Sequence, residues 1–319
     1  MTWFLLTLAC ILLWGITDIL FKASYDYDDP LSHCKSFVWV GVVMLLAGGI
    51  MALWSETLPS SIEALKQNLY LIPLGHFYAA ALFFALLGFK YLDASIISCL
   101  ENIDNALAAI LMILFFTVTG NASGIKDIGI TTIIATVIIV VGVVFLGIQE
   151  HTLAREEAAL AEDRKKHRLG ALALIFPLLY NLVDALSITA IGVTVSDASE
   201  YSIPDKDFFV FECAAFVVVA ICVWLYMLIV KKCAYNPFDE EELVRCGAAS
   251  GETAGTMTFI FAASENPVLT APITSFYCIV TIILGRIFLK ERLTNKQYRS
   301  LALLLIGILL LGISEIIHV

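Results

Sequence analysis

Long apolar runs separated by short polar ones dominate this chain. Ten segments hold about 20 mainly apolar residues each, the length a helix needs to cross a bilayer core. They are 3–23, 34–54, 69–89, 94–118, 126–148, 170–192, 207–230, 244–263, 268–289 and 298–317. The first is read as a span and not as a cleaved leader, because it lacks a basic start and a small-residue cleavage site. The only strongly polar stretch runs from Glu150 to Arg168, with five spans before it and five after. Its Ala, Glu, Arg and Lys content favours a short solvated helix or a flexible strap.

The two sets of spans repeat one another. Asp18, in Trp14-Gly-Ile-Thr-Asp18, matches Asp184, in Tyr180-Asn-Leu-Val-Asp184, at an offset of 166 residues, and Gly142 to Gly147 matches Gly307 to Gly312 at an offset of 165. An odd number of spans per repeat turns the second upside down relative to the first. The expected fold is therefore an all-α integral membrane protein of ten transmembrane helices, built as two inverted five-helix repeats. Residues 1–149 form the first repeat, 150–168 a charged linker and 169–319 the second repeat. Inverted repeats place a substrate site near the midplane at their interface. Sixteen of the nineteen Lys and Arg residues fall on the side reached after odd-numbered spans, leaving only Lys66, Lys126 and Lys206 on the other. The positive-inside rule then puts the linker in the cytoplasm and both termini outward, in a multi-pass protein of the plasma membrane.

Composition agrees with a chain whose main solvent is lipid. Hydrophobic residues make up 60% and charged residues 15%, and the mean hydropathy is +0.90, whereas charged residues are about a quarter of a soluble domain. The eight cysteines are scattered without a C-x-x-C pair, so neither a metal site nor a disulfide framework is expected. The formal charge of −10 comes largely from acidic loops such as Tyr25 to Asp29 and Asp239 to Glu242, which makes nucleic acid an unexpected partner. A Walker loop, a dinucleotide glycine fingerprint and a metal-ligand cluster are all missing, and no cofactor is expected.

Against this apolar background the buried polar residues carry the chemistry. An Asp near the bilayer centre costs roughly 2.5–3.5 kcal/mol on insertion scales, so intramembrane carboxyls mark functional sites by default. Asp18 has a bland alternative in an i,i+4 pair with Lys22. Asp184 has no basic partner in its own helix and is flanked by Tyr180, Asn181 and Ser187. Span four holds Ser98, Glu101, Asn102, Asp104 and Asn105, and on a continuous helix 98, 101, 102 and 105 share one face while Asp104 turns further round. Its partner by repeat equivalence, span nine, carries Thr270, Thr274, Tyr277 and Thr281 as a polar stripe; interhelical hydrogen bonding is the bland reading of the threonines. Span eight carries Gly247, Gly251 and Gly255, a ridge for close helix packing, with Glu252 beside it. His76 is a candidate proton relay set against an ordinary packing histidine. Glu212, near one end of its span, is expected to snorkel and is left out of the set.

Leu284-Gly-Arg-Ile-Phe-Leu-Lys-Glu291-Arg-Leu-Thr294, followed by Gly307 in a last apolar span, resembles the drug/metabolite transporter superfamily and, within it, the ten-helix EamA-type branch. Phe84 to Ser95, which joins spans three and four through a tight turn, fits the same pattern. The resemblance covers essentially the whole chain in span number and duplication, and it implies a secondary transporter whose spans four and nine line the cavity. The chain departs from the pattern in three ways. Thr119-Gly-Asn121 stands where the second repeat has its Lys-Glu-Arg-Leu-Thr turn. Spans four and nine lack the usual central proline, although Pro272 lies early in span nine. The charge count also opposes the termini-inside orientation that the resemblance implies, and the charges are followed here.

The functional expectation is alternating-access transport of a small metabolite without enzymatic activity. Asp18, Glu101, Asp104, Asp184 and Glu252 outnumber Lys22 and His76 at membrane depth, so each acid must be protonated, paired or exposed to cavity water. That excess suits a cationic or zwitterionic solute, such as an amine or amino acid, exchanged for protons, with Glu101 and Asp184 as the coupling carboxyls. Trp14 joins the candidate set beside Asp18. The expected partners are the substrate, the bilayer and protons, and the chain is a monomer or homodimer. An idle membrane scaffold or chaperone is the alternative, disfavoured because it has no need of five buried acids. An intramembrane protease is disfavoured because Asp184 lacks a Gly-x-Gly-Asp context.

Overall fold

The computed structural model describes residues 2–68, 72–119, 134, 137–138, 141–142, 145, 148–149, 170–195, 202–233, 235, 242–265, 267–291 and 293–318. Among the described residues every regular element is helical. The first half contains α1 (Thr2–Ala23), α2 (Ser32–Trp54), α3 (Leu58–Gln67), α4 (Ile72–Gly75), α5 (Tyr78–Gly88), α6 (Ala94–Glu101) and α7 (Ile103–Thr119). The second contains α8 (Ile175–Val195), α9 (Asp205–Leu225), α10 (Leu243–Glu265), α11 (Pro267–Thr274), α12 (Tyr277–Leu284) and α13 (Asn295–His318). A 3₁₀ turn leads into α8, and π-helical turns at Tyr226–Val230 and Gly285–Leu289 extend α9 and α12.

Among the described residues four stretches, Thr2–Ala23, Ser32–Trp54, Leu172–Val195 and Asp205–Val230, are helices long and apolar enough to cross a membrane. They coincide with four of the segments expected from hydropathy. The runs 244–263 and 298–317 are also single helices, α10 and α13. The runs 69–89, 94–118 and 268–289 are instead interrupted, at His76–Phe77, at Asn102 and at Ser275–Phe276. The expected fifth span, 126–148, lies for the most part outside the described residues, and the linker 150–168 lies wholly outside them. One helix was not foreseen: α3, which starts with Pro59 in its first turn, where a missing N–H costs no helical hydrogen bond.

Around a buried apolar core that includes Phe37, Phe89 and Phe208, the bundle also turns many large apolar side chains outward. Leu45, Leu53 and Trp54 of α2, Leu178 and Leu182 of α8, and Val218, Ile221 and Ile229 on or just after α9 are exposed, while the carboxyls of Asp18, Glu101, Asp104, Asp184 and Glu252 are buried. Lipid on the outside and hydrogen-bonding groups on the inside satisfy both solvents.

α1 and α10 form a closely packed antiparallel pair. Trp3 N donates to Glu265 Oε2 at 3.1 Å at one end, and Arg245 Nη2 donates to the Ser24 carbonyl at 3.0 Å at the other. The small-residue ridge of α10 makes this approach possible: a Cβ on Gly255 would lie 2.5 Å from the Trp14 ring. In the same way α2 lies along α9, with the Phe37 and Phe216 rings stacked at 5.9 Å. α8 packs on α4, α5 and α7, and α12 on α1 and α6.

Candidate functional site

Two adjoining cavities lie where the halves of the chain meet. One, enclosing about 30 Å³, is bounded by Trp14, Tyr78, Asp104, Tyr180, Asp184 and Glu212 among others. The second, enclosing about 20 Å³, has Asp18, Glu101 and Glu252 in its wall. Trp14, Tyr78, Tyr180 and Tyr277 line both, so an aromatic collar separates two groups of acids. Within the collar the Trp14 ring lies 5.8 Å from Tyr277 and 6.3 Å from Tyr78.

Each acid is held differently. The Tyr78 hydroxyl donates to Glu252 Oε1 at 2.6 Å, and Thr256 Oγ1 donates to the same oxygen at 3.2 Å. Thr281 Oγ1 donates to Asp18 Oδ2 at 3.0 Å and accepts from Ser98 Oγ at 3.2 Å, linking α6, α12 and α1. Asn105 N donates to Asp104 Oδ1 at 2.5 Å. Glu101 is 4% exposed and its Oε1 has no hydrogen-bond partner. A buried carboxyl oxygen without a donor is costly unless something else, a solute or water, completes it.

The interruption at Asn102 has a clear cause. In a continuous helix the Asp104 N–H would bond the Leu100 carbonyl, four residues back. Asn181 of α8 inserts its amide between them: Nδ2 donates to Leu100 O at 2.8 Å, and Oδ1 accepts from Asp104 N at 2.7 Å. A side chain inserted into the hydrogen-bond ladder is a recognised source of helix breaks. The break corrects the single-face reading of span four. Glu101 faces the cavity with Asp18, Asp104 and Asn105 face the cavity with Asp184, and Asn102 turns back to donate to the Ser98 carbonyl at 2.6 Å.

Of the residues expected at the site, Trp14, Asp18, Glu101, Asp104, Asn105, Tyr180, Asp184, Glu252 and Tyr277 thus line the cavities. Ser98, Asn102 and Asn181 support that wall from behind. Thr274 Oγ1 donates to the Thr270 carbonyl within its own helix, the packing role weighed for both threonines. Lys22 directs Nζ to the carbonyls of Phe89 and Leu92, 2.5 Å from each, whereas Asp18 takes its hydrogen bond from Thr281.

Tyr78, Thr256 and Glu212 were missed. Tyr78 sits in an apolar run in which His76 is the polar residue that stands out. Glu212 was expected to snorkel, and this is corrected: its side chain is buried and pairs with His76, Nδ1 to Oε2 at 2.6 Å. Position along a helix does not reveal that a histidine waits opposite.

Both ends of the bundle are tied across the halves by carboxylates. At the end that holds Trp3, Asp207 of α9 accepts hydrogen bonds from Ser55, Thr57 and Ser61 of the first half. At the end that holds Arg245, Glu291 accepts from Ala94 N, at 2.8 Å, and from Ser95. Glu291 is aimed there by Lys290, whose φ of 56° turns the chain back after α12, and by Gly285, whose Cβ would lie 2.9 Å from the Glu291 carboxylate.

Among the described residues no group of three or more His, Cys, Asp or Glu is arranged to hold a metal ion. No protein-family model matches the sequence, and no curated protein matches it. Twelve chains of solved structures match the fold. One, described only as the crystal structure of a protein, superposes over 96% of this chain and 95% of its own with a TM-score of 0.50 at 13% identity. At that identity the likeness concerns the course of the chain alone.

Proposed function

We propose that the chain is a membrane carrier that moves a small organic cation or zwitterion, an amine or amino acid, by alternating access in exchange for protons. The reading includes ten spans in two inverted repeats, residues 1–149 and 169–319 joined by the 150–168 linker, with both termini outward. It also includes the EamA-type relationship implied by Leu284 to Thr294. The observation that carries it is the composition of the cavity wall: Asp18, Glu101 and Asp104 from one half and Asp184 and Glu252 from the other surround one aromatic collar.

Acids in a low-dielectric site attract a cation far more strongly than they would in water, and aromatic faces add cation–π attraction of about 0.5–2 kcal/mol each. The collar selects an apolar or flat body, and the acids select the charge. Interrupted helices at Asn102 and Ser275–Phe276, in the two spans expected to line the path, suit a carrier, because freed backbone groups are tolerated at membrane depth only beside a cavity or a protein partner. The hydrogen bonds of Asp207 and Glu291 join the two halves at both ends of the bundle, an arrangement that suits an occluded state.

Three compounds that share a phenyl ring and differ in charge test the reading: benzylamine, phenylalanine and benzoate. A ligand at a hundred times its Kd stabilises the folded state by about 2.7 kcal/mol, which thermal unfolding of the detergent-purified protein detects. Benzylamine and phenylalanine are expected to raise the unfolding temperature and benzoate to leave it unchanged. Stabilisation by benzoate alone contradicts the reading.

A further inference from the structure

The His76–Glu212 pair is not needed to hold a cation in the collar, yet it is placed with care. Ser187 Oγ of α8 donates to the Gly75 carbonyl at 2.5 Å and pins the end of α4, so that His76 emerges at the break before α5. A Cβ on Gly75 would lie 2.9 Å from Phe208 Cζ, and the absence of one lets the Phe208 ring reach the imidazole, with centroids 4.6 Å apart. Phe211 presents its face or edge to the same ring at 6.3 Å. The imidazole is thus fixed with Nδ1 on Glu212 Oε2, while His76 Nε2 and Glu212 Oε1, both buried, have no hydrogen-bond partner.

Two unsatisfied atoms on a hydrogen-bonded acid–base pair form a place for an exchangeable proton, and Glu212 opens on the cavity that contains Asp184. The other ionisable groups in this cavity wall are Tyr78 of α5, Asp104 of α7, Tyr180 and Asp184 of α8 and Tyr277 of α12; Glu252 of α10 is engaged by Tyr78 from behind it, and Asp207 lies five residues before Glu212 on the same helix. No cation is among them. Glu212 lies seven residues into α9 from Asp205, about 10 Å along the helix axis at 1.5 Å per residue, so the pair stands between the cavity and the Asp207 end of the bundle.

We infer that the His76–Glu212 pair is the proton-binding site of the carrier, holding one proton while the collar is empty and releasing it when a cation enters beside Asp184. This deepens the proposed function and rests on it. With the proton bound the pair is neutral overall, as imidazolium carboxylate or as imidazole and carboxylic acid. After release it is imidazole and carboxylate with one negative charge. One proton leaves for each monovalent cation that arrives, and no other bond changes.

His76→Gln and Glu212→Gln keep hydrogen bonding and remove proton exchange from either member of the pair. Each is to be reconstituted in liposomes beside wild type, with benzylamine as the probe. The expected result in both variants is loss of benzylamine accumulation driven by a pH gradient and loss of proton release on benzylamine addition in unbuffered detergent solution, with benzylamine counterflow within about twofold of wild type in His76→Gln, whose side chain lies outside the cavity wall. Gradient-driven accumulation and proton release equal to wild type in either folded variant overturn the inference and leave the proposed function standing. Wild type that neither exchanges nor accumulates benzylamine contradicts both. If one variant fails to fold, the other decides.

Discussion

Glu291 takes two hydrogen bonds from Ser95, from its backbone N–H at 3.2 Å and from its hydroxyl at 2.5 Å, and thereby caps the first turn of α6 from the far half of the chain. A carboxylate at a helix N-terminus satisfies orphan donors and meets the positive end of the helix dipole. Because α6 ends at Glu101 in the cavity wall, this cap links one end of the bundle to the site. Glu291→Ala should cost about 0.5–2 kcal/mol, as loss of an N-cap does, and should open that end. On a cysteine-free background, Ser98→Cys is expected to react with an aqueous maleimide faster in the Glu291→Ala protein than in its parent. Equal rates and equal thermal stability would remove Glu291 from the closing machinery.

The α10 ridge gives a prediction with an internal control. At Gly255 an added methyl would meet Trp14 at 2.5 Å, whereas at Gly247 the nearest atom is Leu20 Cδ1 at 3.7 Å, an ordinary contact. Gly255→Ala should destabilise by about 1–3 kcal/mol through overpacking and weaken benzylamine binding by displacing the Trp14 ring. Gly247→Ala should stay within about 0.5 kcal/mol of wild type. Unfolding curves with and without benzylamine measure both effects, and equal behaviour of the two variants would contradict the packing account.

Asn181 serves three backbone groups with one amide: Leu100 O and Asp104 N at the break, and Pro177 O in its own helix. Asn181→Ala leaves Leu100 O and Asp104 N without the partners they now have, at about 1–3 kcal/mol for each buried group left unsatisfied. Asn181→Asp keeps the acceptor and loses the donor, and should fall between alanine and wild type in unfolding temperature. An alanine variant as stable as wild type would mean that the break at Asn102 needs no side chain to hold it.

These cases mark what was legible in the sequence. Helix limits such as Thr2–Ala23 and Asp205–Val230 follow from runs of apolar residues, a property each segment carries alone. Asp18, Glu101, Asp184 and Glu252 stood out because isolated acids in such runs are costly. The break at Asn102 was invisible because its cause, Asn181, lies in another helix. Lys22 was matched to its nearest acid in sequence, while the open carbonyls after α5 are its neighbours in space. Glu212 was set aside for the same reason, since burial is a property of the assembled bundle.

Outside the spans, Asp29 offers a pH-dependent test. Partial burial raises its pKa, but the hydrogen bond from Lys35 Nζ, at 2.7 Å, and that from Leu31 N, at 2.8 Å, outweigh burial and hold the carboxyl below its ordinary value. A group depressed in the folded state contributes stability above its unfolded pKa, about 3.9 for Asp, and loses it as pH falls through the folded value. Asp29→Asn should therefore be less stable than wild type at neutral pH, with the difference shrinking below about pH 4. A difference that stays constant across that range would show that Asp29 acts through packing and not through charge.

The central claim is that the buried acids carry a cation in exchange for protons. Uptake of labelled benzylamine into proteoliposomes with an imposed pH gradient, for wild type, Glu101→Gln and Asp184→Asn, tests it most directly. The account predicts accumulation that follows the gradient in wild type and falls at least about tenfold, equivalent to 1.4 kcal/mol, in each variant. Wild-type uptake indifferent to the gradient, or benzoate taken up in preference to benzylamine, would contradict it.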